Sequence, residues 1–279
     1  MTAANDLSPY GRHAPHGLVA RVLRLTRQRR TSWLGRRFGF VCRAAGIALL
    51  RGRPQDIDAL GARMRLYPAH NVSEKNLLFT PHLFDPEERD LIASRITDGF
   101  TFVDIGANVG GYSLFVAALA GSHAHILAVE PQPEIFERLV YNVRQNPFGS
   151  IKALECAVAD QDGDITMFLD PRNSGESSMR FVDLRGHGKS VRVASKTLAT
   201  ILGEERLERL DALKVDVEGA EDLVLDPFFR TVPRHLWPRL LIIDNGSAQA
   251  TAIVAALGGG EVYRKLLQTR SNDIFERTG

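Results

Sequence analysis

Cysteine is scarce in this chain of 279 residues, which has two, Cys42 and Cys156. They lie far apart and form no C-x-x-C pair. That excludes a disulfide framework and a zinc signature, and it makes a reducing, cytoplasmic compartment the expectation. Long apolar runs are missing as well. The stretch from Phe38 to Leu50 is thirteen residues long and interrupted by Arg43, short of the ~20 that a bilayer-spanning helix needs. It sits far from the start and lacks a cleavage context, so no signal peptide is expected. There is no internal repeat and no low-complexity segment. With 44% hydrophobic and 24% charged residues the chain falls outside the disordered class. Its length suits one large α/β domain, or a domain with an appendage.

Lysine is absent from residues 1–53, yet that segment holds eleven arginines against one acid, Asp6, for a net charge of +10. The remainder carries 24 basic and 32 acidic residues, a net of −8. We therefore divide the chain into a basic helical arm (1–53), a connector (54–84) and a main domain (85–279). Residues 1–16, with Pro9, Gly11 and Pro15 and few apolar groups, read as a flexible start. From Leu18 to Arg30 the apolar Val19, Val22, Leu23 and Leu25 mix with Arg21, Arg24 and Arg27 at helical spacing. Three uses of the arm compete. It could be a helical lid or a subunit contact on the acidic body, which leaves an oligomer open. It could be a basic interfacial helix, residues 18–53, touching anionic lipid or a lipid-linked substrate at the membrane surface. Nucleic-acid binding ranks last, because the arginines come with no base-reading fold.

Along the body, Asp85-Pro-Glu-Glu-Arg-Asp predicts a helix with Asp85 as N-cap and Pro86 in its first position. Residues 102–113, Phe-Val-Asp-Ile-Gly-Ala-Asn-Val-Gly-Gly-Tyr-Ser, are an apolar strand ending near Asp104, a glycine-rich turn and a helix start. A second strand, His125 to Val129, is tipped by Glu130-Pro131. Pro131 to Asn146 reads as a helix, Ile151 to Ala159 as a strand, Asp162-Gly163 as a turn and Asp164 to Leu169 as another strand. The polar loops at 173–178 and 185–188 accompany a β excursion at Met179–Val182 and Val191–Ala194.

Strand, turn, helix and acid-tipped strand are the parts of a nucleoside-cofactor crevice. The spacing Gly106-Ala-Asn-Val-Gly110-Gly111 does not fit the dinucleotide pattern G-x-G-x-x-G. Asp104 would repel a pyrophosphate but suits a cationic ligand such as S-adenosylmethionine, with its ammonium and sulfonium. Taken singly, each glycine reads equally well as a turn residue with positive φ. As a set they place Asp104, Gly106 and Asn108 at the methionine end, with Gly110 letting the helix start close by and Glu130 on the ribose hydroxyls. Asp160 is a weaker candidate for the adenine, since Asp160 to Gly163 also forms a good turn.

A third landmark is Asp211-Ala-Leu-Lys-Val-Asp-Val-Glu-Gly-Ala-Glu221, a strand running into a helix. With Val103 to Gly110, Val129 to Pro131 and the C-terminal Thr269 to Phe275, it resembles the FkbM family of S-adenosylmethionine-dependent methyltransferases over about residues 80–279. The segment from Lys214 to Glu221 is the most specific part. The resemblance implies an α/β, Rossmann-like, seven-stranded sheet, mostly parallel with the last strand antiparallel. It also implies methyl transfer to a hydroxyl, and we take a sugar or secondary metabolite, a small molecule or glycan, as the acceptor. Within that family's sheet Asp216 lies near the methyl-donating centre.

Proton removal needs a base, for which Asp216, Asp244 and Glu218 are candidates, with His187 as a lone loop histidine behind them. Glu218 and Glu221 also suit the dipole of a helix N-terminus. Asp216, Asp244 and Asn245 resemble the oxygen set of catechol-type, magnesium-dependent O-methyltransferases and would suit Mg²⁺. Two features oppose it: Gly219 stands where those enzymes carry a lysine, and Asp244-Asn245 also suits the start of a turn before Gly246. Two rival functions stand beside O-methylation. One is a non-catalytic cofactor- or nucleotide-binding module recruited to membrane or nucleic acid by the arm; the other is an N-methyltransferase.

Overall fold

The computed structural model describes residues 5–28, 33–69, 71–169, 177–178, 189–217, 219–245 and 247–278. Two helices, α1 (Gly17–Arg27) and α2 (Trp33–Leu50), lead into a hairpin of β1 (Gln55–Ala59) and β2 (Ala62–Leu66). Then come α3 (Val72–Phe79) and α4 (Pro86–Ala93). The alternating core follows with β3 (Thr101–Ile105), α5 (Gly111–Ala120), β4 (His125–Val129), α6 (Pro133–Arg144) and β5 (Ile151–Leu154). An excursion of β6 (Ala157–Val158), β7 (Gly163–Leu169), β8 (Ser177–Ser178) and β9 (Lys189–Lys196) leads to α7 (Leu198–Glu204). The chain closes with β10 (Ala212–Val215), α8 (Glu221–Thr231), β11 (Leu240–Asp244), α9 (Ala248–Ala256), β12 (Tyr263–Gln268) and β13 (Asn272–Arg277).

Seven strands form one sheet in the order β12-β13-β11-β10-β3-β4-β5. The pairs β11–β10, β10–β3, β3–β4 and β4–β5 are parallel, while β13, the last strand, runs antiparallel to both its neighbours. This is the expected sheet. Both faces are covered, as continuous apolar strands require. Phe102, Ile126, Ala212 and Ile242 join Leu114 and Val116 of α5 in one core. Their alternates Val103, Leu127, Leu213 and Ile243 join Ile201 of α7 and Val224 and Phe228 of α8 in the other. From β3 the chain builds outward to β4 and β5, then returns to add β10 and β11 on β3's other side. The crevice where that order reverses, at the carboxyl ends of β3 and β10, is where such sheets bind ligands.

Three local expectations are corrected. The stretch Ile151–Ala159 is divided: β5 stays in the large sheet, and β6 joins a second sheet in the order β6-β9-β7-β8. Residues 5–16 are tied down rather than free. The buried guanidinium of Arg65 pairs with Asp56 at 2.6 Å and donates to the carbonyls of Asp6, Ser8 and Pro9. A buried cation needs that many acceptors. Residues 54–84 are also more than a connector in packing, since Met64, Leu66, Leu77, Leu78 and Phe79 are buried in the core. The excursion at 179–182 and the loop at 185–188 lie outside the described residues.

The arm packs on its own chain. Leu23 and Thr26 of α1 are buried while Arg21 and Arg24 are exposed. Gly46 of α2 sits so close to the Phe79 ring that a Cβ there would lie 2.5 Å from it. Among the described residues no helix is long and apolar enough to cross a membrane.

Candidate active site

A pocket opens at the reversal point, lined by the ends of β3, β4 and β10, the turn after β3, and parts of α3 to α5. Gly106 makes the turn possible. Its φ is +77°, and a Cβ there would lie 2.0 Å from the carbonyl oxygen of Asp216. The N–H groups of Gly106 and Ala107 both donate to the carbonyl of Val129, at 3.0 and 2.9 Å, which fastens the turn to β4. Asn108 also has positive φ, 51°. Its N–H donates to Glu130 Oε2 at 2.9 Å, and its side-chain oxygen accepts from Asn71 Nδ2 at 2.9 Å. Gly110 is not among the lining residues; it caps α5 with φ 93°, packed beside Leu139.

Among the described residues four carboxylates line the pocket, those of Asp85, Asp104, Glu130 and Asp216, together with one ammonium, that of Lys214. Asp104 is 1% exposed. Its Oδ2 accepts from the Ser113 N–H and hydroxyl at 3.1 and 2.6 Å, whereas the buried Oδ1 has no hydrogen-bond partner among the described residues. Burial raises its pKa, against the pull of Lys214 and the Ser113 hydroxyl. Glu130 accepts from the N–H groups of Asn108 and Gln132, at 2.9 and 3.0 Å. Burial, helped by the charges of Asp104 and Asp216, nevertheless pushes its carboxyl up to about 7.

Lys214 stands in register with Asp104 across the β10–β3 pair, and its Nζ lies 2.7 Å from Asp216 Oδ2. Burial works against this ammonium, but Asp216, Asp104 and Asp85 outweigh it and raise its pKa. Nζ also sits 5.0 Å from the centre of the Tyr112 ring. Tyr112 in turn donates from its hydroxyl to Asp85 Oδ2 at 2.9 Å. Asp85 occupies the N-cap position of α4, as its place before Pro86 predicts, but its side chain makes no cap hydrogen bond. It forgoes a contact worth about 1 kcal/mol and turns to Tyr112 instead.

Of the sequence candidates, the structure brings Asp104, Gly106, Asn108, Glu130 and Asp216 together around one hollow. Asp160 is exposed and is not a lining residue. Glu221 is buried at the start of α8, and its carboxylate accepts from the N–H groups of Val217 and Gly219, both at 3.1 Å. That is a loop-holding role. Glu218 and His187 lie outside the described residues.

The magnesium expectation finds a poor donor set. Asp216 already holds an ammonium, and the Asn245 amide nitrogen donates to the carbonyls of Thr269 and Arg270 at 3.2 and 3.0 Å. Asp244 and Asn245 do not line the pocket. Among the described residues no group of three or more His, Cys, Asp or Glu side chains is placed to hold a metal ion.

Sequence reasoning passed over Lys214, Tyr112, Asp85 and Asn71. Lys214 had a readable signal, an ionisable side chain inside an otherwise apolar strand. Asp85 was masked by its own good fit to a capping pattern.

Residues 104–240 match the model of the Methyltransferase FkbM domain. The methyltransferase sdnD of Sordaria araneosa is 32% identical over 176 residues, covering 53% of this chain and 65% of that protein. Methyltransferase 1 of Beauveria bassiana is 30% identical over 145 residues, 46% of this chain and 58% of the relative. The hexuronic acid methyltransferase AglP of Haloferax volcanii is 31% identical over 127 residues, 44% of this chain and 47% of the relative. The chain thus spans about half to two thirds of the length of these curated relatives. Among solved structures, the METTL16 MTase domain superposes with a TM-score of 0.49 at 16% identity, over 99% of this chain and 98% of that one.

Proposed function

From the match of residues 104–240 to the FkbM methyltransferase domain we propose that this chain is an S-adenosylmethionine-dependent O-methyltransferase. Its acceptor is a hydroxyl of a sugar or secondary metabolite. The observation that carries the reading is the buried Oδ1 of Asp104 beside a glycine turn, which has no partner among the described residues. An unpaired buried carboxylate oxygen is costly unless a ligand donates to it, and the cofactor's ammonium is such a donor. The bound cofactor supplies an electrophilic methyl group on a positively charged sulfur. This chain supplies the rest. Glu130, at the tip of β4, receives the ribose hydroxyls, and Ile105, Val129, Cys156, Val158 and Met167 give the adenosine an apolar lining. The carboxylates of Asp104 and Asp216 favour the cationic cofactor over its neutral product electrostatically. Holding donor and acceptor in line is the larger part of the work in such a displacement. The sugar class is supported by the hexuronic acid methyltransferase among the relatives.

The test is transfer of labelled methyl from S-adenosylmethionine to a panel of sugars, uronic acids and hydroxylated metabolites, with and without a chelator. Label on a hydroxyl, indifferent to the chelator, is the expected result. Label confined to amines would make the protein an N-methyltransferase. Cofactor binding with no transfer to any acceptor would favour a binding module.

A further inference from the structure

Resting on that reading, we infer that Asp85 is the group that takes the proton from the acceptor hydroxyl, with Tyr112 as the positioning residue that aims it. The inference begins with the backbone. Asp85 has φ 38° and ψ 61°, a left-handed conformation in a non-glycine residue, and strain of this kind gathers at functional sites. Its surroundings fix that conformation firmly. Arg89 donates to the carbonyl of Phe84 at 2.7 Å. The Phe84 ring packs 5.5 Å from that of Tyr112, in space left by Gly111, where a Cβ would lie 2.9 Å from it. Glu88 anchors the same helix to the sheet, accepting from Thr269 at 2.5 Å and Asn272 at 2.9 Å.

Among the described residues, the other carboxylates of the pocket are engaged by a cation or by backbone and hydroxyl donors. Asp216 receives a hydrogen bond from Lys214, and Glu130 receives two from backbone N–H groups. Asp104 is 1% exposed, with Oδ2 held by Ser113. Asp85 lines the pocket half-buried, with Oδ2 fixed by Tyr112 and Oδ1 accepting no hydrogen bond from a described residue. The Tyr112 hydroxyl keeps its proton, since burial and the neighbouring Asp85 and Glu88 raise its pKa well above the ordinary value. It is therefore the donor in the pair. In the reaction the hydroxyl oxygen forms a bond to the methyl carbon as the carbon–sulfur bond breaks. Sulfur leaves as a neutral thioether, and the hydroxyl proton passes to Asp85.

The inference can be tested without knowing the acceptor. Sinefungin carries an amino-substituted carbon where the cofactor has its sulfonium, so its ammonium occupies the place of the transferred methyl group. Calorimetry would compare its binding with that of S-adenosylhomocysteine in the full chain, in Asp85→Asn and in Tyr112→Phe. Asp85→Asn should weaken sinefungin at least tenfold and change S-adenosylhomocysteine binding less than threefold. Tyr112→Phe should show the same selectivity with a smaller loss, and it carries the test if the asparagine variant does not fold. Equal affinity for sinefungin in wild type and variants, or equal loss of both ligands, overturns the role of Asp85 and leaves the cofactor assignment standing. A wild-type chain that binds neither ligand overturns the methyltransferase reading itself.

Discussion

Asn71 Nδ2 donates to Asn108 Oδ1 at 2.9 Å, joining a helix cap outside the family-matched span to the turn that lines the pocket. The same Asn71 side chain accepts from the Glu74 N–H at 3.0 Å. One buried amide therefore caps α3 and holds a residue of positive φ in place. Behind it, Glu74 pairs with Arg138 of α6 at 2.7 Å and accepts from the Tyr67 N–H. The hairpin and α3 thus act as a rigid backing for the glycine turn.

Replacing Asn71 by serine separates the two roles. Serine caps a helix about as well as asparagine but is too short to reach Asn108. The variant should lose about 1 kcal/mol of cofactor binding, roughly fivefold, for the missing hydrogen bond. Calorimetry with S-adenosylhomocysteine reads this directly. Unchanged affinity would mean that the turn holds itself.

Gly106→Ala should be among the most damaging single-methyl changes in the chain. It combines positive φ with a Cβ placed 2.0 Å from the Asp216 carbonyl oxygen. Strain and overpacking together should cost about 2–4 kcal/mol. Urea denaturation measures it, and a loss below about 0.5 kcal/mol, the range of neutral surface changes, would refute the close approach of β3 and β10.

Glu130 should make cofactor affinity depend on pH. Its carboxyl is raised from the ordinary 4.5 to about 7 in the folded chain. The folded state therefore binds more protons than the unfolded state between those values, so this group's contribution to stability is present at acid pH and is lost as pH rises toward 7. Ligand binding has the opposite sign. Ribose hydroxyls donate to the carboxylate and expel its proton, so affinity should rise from pH 5 to 7, by up to about tenfold per unit, and then level. Affinity titrations across that range check it. Affinity that falls as pH rises through this window would remove Glu130 from the ribose.

The parts of this molecule that were legible in sequence are those where pattern and burial agree. The strand 101–105 is apolar on both faces because α5 and α7–α8 cover both, and it ends in the acid and glycines the pocket needs. The order of strands followed from family motifs, and periodicity alone cannot supply it. Asp160 lies outside the pocket lining for a physical reason: the chain leaves the large sheet after β5, so residues beyond β6 turn away into the smaller one. Lys214 and Asp104 face each other from strands 110 positions apart, and Tyr112 meets Asp85 through the packing of Phe84 on Gly111. Such meetings depend on tertiary placement, which no local signal carries. Asp85 shows the converse, a side chain whose local preference for capping yields to a partner on another helix.

Calorimetric titration of the full chain with S-adenosylmethionine, paired with Glu130→Ala, tests the central claim most directly. The chain should bind the cofactor at one site, and the alanine variant should bind it about 1–3 kcal/mol more weakly, the range for a hydrogen bond to a charged group. A folded chain that takes up no cofactor, or a variant that binds as tightly as the parent, would contradict it.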